Sequence, residues 1–85
     1  MSVEYYRKRL IDLRADVAKE RDAKKKDNAY YADLVKRATS PSSKASYRKS
    51  KIDRAANHDR RIESLKRDIE RAKESLASER KRAKK

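Results

Sequence analysis

The stretch RATSPSSKAS (residues 37–46) is the one place where this chain of 85 residues stops reading as helix. It holds the only proline, and glycine occurs nowhere. Pro41 removes a backbone donor and clashes with the preceding turn, which disfavours a continuous helix. Ser40, just before it, is pushed toward an extended conformation. Either Ser40 caps a second helix with Pro41 at its first position, or Ser43 caps it slightly later. A break this short joins antiparallel neighbours.

Each side of the break carries a seam. On the N-terminal side a 3-4 spacing runs through Val3, Tyr6, Leu10, Leu13, Val17, Glu20, Lys24, Asp27, Tyr31, Leu34 and Ala38. That is a heptad pattern with three polar members in its middle. On the other side the spacing runs through Ala45, Arg48, Ile52, Ala55, His58, Ile62, Leu65, Ile69, Ala72, Leu76, Glu79 and Ala83. The step from Ala55 to His58 is three where four is due, which predicts a locally overwound seam. Exposed positions are rich in Ala, Lys, Arg and Glu, all good helix formers. Glu4/Lys8, Asp22/Lys26, Asp33/Arg37 and Glu63/Arg67 are spaced i,i+4 with the acid first, the favourable order.

The reading is an all-α antiparallel two-helix hairpin, a coiled coil. The first helix covers about residues 3–38, the turn about 39–43 and the second helix about 43–80, with a basic tail at 80–85. Folding at the turn pairs residues whose numbers add to about 83. Tyr6 then meets Leu76, Leu10 meets Ala72, Leu13 meets Ile69, Val17 meets Leu65 and Tyr31 meets Ile52. Large faces small or medium, as interdigitation requires. The polar stretch Glu20–Lys24–Asp27 falls opposite the overwound step. Tyr47, near the turn, is placed to pack over Leu34 and Val35. Two other architectures share the composition: one long helix kinked at Pro41, and a chain that folds only on a partner.

The chain bounds its own function. With 48% charged residues and only three Val, five Leu and four Ile, one thin seam gives a two-helix unit little stability. Oligomerisation, or docking on a larger protein, is therefore expected. No run approaches signal-peptide or membrane-span length, which predicts a cytoplasmic protein or export without a cleavable signal. The net charge of +13 favours acidic partners, including nucleic acid.

Reactive constellations are missing. There is no cysteine and one histidine, so no metal or other cofactor and no enzyme activity is expected. His58 sits at the seam's irregular step beside Asp59 and opposite Lys24. It reads as a solvated polar position in preference to a pH-sensitive layer. Asp12 and Asp16 read as surface charges. The pairs Tyr5–Tyr6 and Tyr30–Tyr31 point the same way; Tyr6 and Tyr31 fill the seam, while Tyr5 and Tyr30 cover its edge with their hydroxyls in water. Stacking of those two on bases is the less favoured role.

The candidate helix–helix seam, and the surface for self-association, comprises Tyr6, Leu10, Leu13, Val17, Tyr31, Leu34, Ile52, Ile62, Leu65, Ile69 and Leu76. Candidate phosphate contacts form three groups: Lys24, Lys25 and Lys26, gathered with Arg60–Arg61 at mid-hairpin; Lys44, Arg48, Lys49, Lys51 and Arg54 near the turn; and Arg80, Lys81, Arg82, Lys84 and Lys85 at the free end. Such contacts imply steep salt dependence and little sequence preference. A third class, the small secreted or phage-structural hairpins, is marked by a Trp-x-Gly turn, and Ser-Pro-Ser stands in its place here.

The run YYRKRLIDLRADVAKERDAKKKDNAYY, followed by VKRATSPSSKASYRKSKIDRAANHDRRIESLKRDIERAKESL, resembles the N-terminal helical segment that precedes the TIR (toll/interleukin-1 receptor) or TIR-like domain in many bacterial immune effectors. Thr39-Ser40, Ser42-Ser43 and Lys49-Ser50-Lys51 stand where that segment has its Ser/Thr turn and the start of its second helix. The resemblance implies a scaffold that self-associates or positions a larger effector protein in a bacterial defence assembly. The NAD-cleaving residues of such effectors lie in the TIR domain, so none is carried over. The resulting expectation is a non-enzymatic helical scaffold for self-association or partner docking; the alternative is a small basic nucleic-acid-binding protein.

Overall fold

The computed structural model describes residues 3–83 as two helices, α1 (Val3–Arg37) and α2 (Pro41–Ala83), packed against each other as an antiparallel hairpin. The described residues contain no strand. The result is a rod of 69 × 14 × 12 Å between Cα atoms.

Three residues, Ala38, Thr39 and Ser40, reverse the chain, and no described residue takes a positive φ. Helix ends often rely on a left-handed glycine; this turn works without one. Ala38 N–H donates to the Leu34 carbonyl at 3.0 Å and closes the last turn of α1. Ser40 is the cap of α2. Its Oγ accepts from Ser43 N–H at 3.2 Å, and its carbonyl accepts from Lys44 N–H at 3.1 Å. The Ser40 hydroxyl also bonds the Ser43 hydroxyl at 2.9 Å. Such a cap contributes about 1 kcal/mol. Pro41 follows at the first helical position, where its missing N–H costs nothing. α2 thus starts two residues ahead of residue 43. It also runs past residue 80 to Ala83, with Arg80, Lys81 and Arg82 in its last turn, where cations suit the helix end.

The core lies in the half of the rod away from the turn. Leu10, Leu13, Ala72 and Leu76 form the buried cluster, and Val3, Tyr6, Leu65 and Ile69 pack partly buried against it. Val17 and Ile62 extend the buried row inward. Nearer the turn, Tyr31, Leu34, Val35 and Tyr47 are only half-buried. No residue between 18 and 61 is fully buried.

The seam of α2 departs from the expected one between residues 45 and 55. Ile52, placed opposite Tyr31 by the spacing, is 69% exposed, and Ala45 and Arg48 are exposed with it. Tyr47, Lys51, Ala55 and His58 are the half-buried positions instead. Their steps of four, four and three cover eleven residues in about three turns, close to the 3.6 residues per turn of an unstrained helix. The seam is therefore locally underwound, the opposite of the overwinding that a second step of three would demand. Keeping Ile52 inside would require twisting the helix to save one side chain, so the helix keeps its pitch.

Within each helix, acid–base pairs line the solvent face. Asp22–Lys26 (3.0 Å) and Asp33–Arg37 (3.1 Å) form at the expected i,i+4 spacing. Glu4 instead meets Arg7 (3.1 Å), and Glu63 meets Lys66 (3.6 Å), each at i,i+3. Both spacings are neighbours on a helix surface, and exposed pairs of this kind are worth a few tenths of a kcal/mol.

Candidate functional site

The polar break in both seams assembles into one cluster. From α1 come Glu20, Lys24 and Asp27, at steps of four and three, so all three project from the face turned to α2. From α2 comes His58, on the row that continues outward to Ile62. His58 is not solvated, contrary to the sequence reading. Its side chain is 11% exposed, and those of Glu20 and Asp27 are 17% and 27% exposed.

Both imidazole nitrogens face carboxylates of the opposite helix. Nδ1 bonds Glu20 Oε1, and Nε2 bonds Asp27 Oδ2 at 2.6 Å. An ionised carboxylate only accepts, and a neutral imidazole carries one N–H. The two bonds together therefore require the imidazolium. The shifts agree: the bonds to Asp27 and then Glu20 raise the His58 pKa above its ordinary 6.5, against partial burial. In turn the His58 bond holds Glu20 below 4.5, opposed by burial and helped by the Arg61 guanidinium. The same bond holds Asp27 below 3.8, with Arg54 assisting.

A second ring of charges closes the cluster. Arg61 lies 3.5 Å from Glu20 Oε1, and Arg54 lies 3.5 Å from Asp27 Oδ2. Arg54 also stands over the Tyr31 ring, 5.7 Å from its centroid, a cation–π distance. On the other flank, Lys24 Nζ donates to Asp59 Oδ1 at 2.7 Å. His58 thus has Asp59 as a chain neighbour and Lys24 across from it, as the register implies, but its own partners lie one turn either side of Lys24. Every buried polar side-chain atom among the described residues has a partner. No group of three or more potential ligands among them is arranged to hold a metal ion.

The candidate phosphate contacts divide. Lys24 is taken by Asp59, Lys26 by Asp22, Arg54 by Asp27 and Arg82 by Glu79. In the mid-hairpin group Lys24, Lys26 and Arg61 are therefore neutralised, the last by Glu20, whereas Arg60 bonds the uncharged Asn57 amide and keeps its charge uncompensated. Lys25, Lys44, Arg48, Lys49, Lys51, Arg80 and Lys81 form no ion pair among the described residues. Lys84 and Lys85 lie outside the described residues. Of the candidate seam, Leu10, Leu13, Val17, Ile62 and Leu76 are buried, and Tyr6, Tyr31, Leu34, Leu65 and Ile69 are half-buried.

The tyrosine pairs meet edge-to-face, Tyr5–Tyr6 at 5.1 Å and Tyr30–Tyr31 at 5.2 Å between centroids. Tyr5 and Tyr30 are 48% and 59% exposed. Asp12 and Asp16 are exposed.

Sequence brings the members of this clamp, His58 held between Glu20 and Asp27, to the same depth without ranking them as partners. A histidine facing the middle of an acid–x3–Lys–x2–acid run has a carboxylate one turn away on each side. Pairing strictly by register directs attention to Lys24 and misses both. No helix is long and apolar enough to cross a membrane among the described residues. Comparison with known proteins finds no matching family model, no matching curated protein and no matching solved structure.

Proposed function

We propose that this chain is a non-enzymatic helical scaffold, a charge-registered rod that docks a second copy or a partner protein along its flanks. The observation that carries the reading is the division of apolar residues. Six side chains are buried among the described residues, while Ile11 and Ile52 stand 65% and 69% exposed on the two helices. A two-helix unit with so small a core gains most from further burial. The clamp supports the same reading, since buried charge is best attested as a device for fixing register and partner choice. The resemblance to segments preceding TIR domains implies an effector as the docked protein; it rests on the quoted residues alone.

Sedimentation equilibrium over a wide concentration range, at low and high salt, tests the proposal, with pull-down from the native host as its second arm. The expected result is a mass that rises with concentration or a specific protein partner, either one weakened by Ile11→Ser with Ile52→Ser. A concentration-independent monomer that recovers no partner would refute it.

A further inference from the structure

The cations of this rod are not evenly compensated. Residues 34–52 contain no Asp or Glu but hold Lys36, Arg37, Lys44, Arg48, Lys49 and Lys51. They occupy the turn end of the hairpin, the last part of α1, the connector and the first part of α2. Of the six, only Arg37 is in an ion pair among the described residues, with Asp33 at 3.1 Å. In the middle of the rod, by contrast, Lys24, Lys26, Arg54 and Arg61 are each held by a carboxylate.

We propose that this turn end is a docking surface for the sugar–phosphate backbone of duplex nucleic acid, contacted by Lys36, Lys44, Arg48, Lys49 and Lys51. The inference goes beyond the docking reading and adds a partner of another class at one end of the rod. Three observations select phosphate over an acidic protein face. Four of the five free cations are lysines, which protein interfaces deplete and phosphate contacts tolerate. The surface among them carries the exposed hydroxyl residues Thr39, Ser42 and Ser46, neutral donors of the kind used on phosphate oxygens. The cations are also distributed over both helices, which suits a polymer with a charge on every residue better than one flat interface.

The shape excludes base reading. Two helices side by side span roughly 20 Å with their side chains, against a major groove of about 12 Å. The end of the rod therefore rests on the backbone, and affinity is independent of sequence.

The test is fluorescence anisotropy with a labelled DNA duplex of about 20 base pairs across a salt series. Five phosphate contacts predict a fall in affinity of about 500-fold between 50 and 200 mM salt. Two variants of equal charge are compared. Lys44→Gln, Arg48→Gln, Lys49→Gln and Lys51→Gln together should flatten the log–log salt slope by between about 3 and 4. Arg14→Gln, Lys19→Gln, Arg21→Gln and Arg67→Gln together should leave most of it. None of these eight side chains is in an ion pair among the described residues, and far-UV circular dichroism checks that both variants stay helical.

Equal losses in both variants would overturn the proposal, because bulk charge alone would then explain binding. So would an absence of binding at 50 mM salt, or tighter binding to polyglutamate than to duplex at equal charge concentration. These outcomes leave the sedimentation test untouched, so the two proposals fail separately.

Discussion

His58 carries two hydrogen bonds that it can donate only as the imidazolium, one to each of two carboxylates on the other helix. Protonation and pairing of the helices are therefore linked. Because its pKa is raised above 6.5 in the folded state, its contribution is complete below 6.5 and is lost as pH rises through the folded value. Glu20 and Asp27 have depressed values, so their contribution is present above about 4.5 and lost as pH falls through the folded values. The urea midpoint should thus be highest between about pH 4.5 and 6.5 and decline on both sides. His58→Gln should remove the decline on the alkaline side; a midpoint that still falls from pH 6 to 8 in that variant would place the titration elsewhere. Sequence alone locates a polar layer at this depth, because three consecutive seam positions on α1 are charged. It does not reveal the clamp, because the partners of His58 are set by rotamers reaching one turn up and down, which spacing cannot rank.

At the scale of the helices, the seam is legible wherever apolar side chains mark it. Leu10, Leu13 and Val17 on α1, and Ile62, Ala72 and Leu76 on α2, are buried on the rows that their spacing marks. It is illegible on the first turns of α2, where the inward row is Tyr47, Lys51 and Ala55. There the one large aliphatic residue, Ile52, points to an adjacent row. A lysine stem is apolar enough to line a seam, but nothing in the sequence ranks it above an isoleucine. Only the preference of the helix for its own pitch decides. The consequence is measurable. Leu13, 3% exposed in the core cluster, should cost about 2–5 kcal/mol when truncated to alanine, enough to threaten a hairpin this small. Ile52→Ala should change stability by less than about 0.5 kcal/mol. Thermal melts followed by circular dichroism distinguish the two, and comparable losses would put Ile52 back in the seam.

Taken whole, the molecule is a rod with unlike halves. Among the described residues one half holds every buried side chain, and the other is fastened by the clamp, the Arg54–Tyr31 contact and the cap at Ser40. Local opening follows local burial, so amide exchange should be faster over residues 28–54 than over 8–17 and 62–76. Raising the pH above the His58 titration should widen the contrast, after correction for the intrinsic rate. Uniform protection along both helices would argue against unlike halves. The length of the rod and the position of its turn follow from Pro41 and two unbroken helical patterns, both visible in the sequence. The uneven distribution of burial is less so, because half-buried residues such as Leu34 and Val35 have the same letters as buried ones.

The antiparallel pairing has one more effect, on the field at the turn. Each helix carries a macrodipole with its positive pole at the N-terminus and its negative pole at the C-terminus. At the turn the C-terminus of α1 and the N-terminus of α2 lie only three residues apart, so their opposite partial charges largely cancel at any distance a partner would feel. The positive potential there belongs to side chains alone, and it can be raised or erased by substitution without disturbing the backbone that displays it.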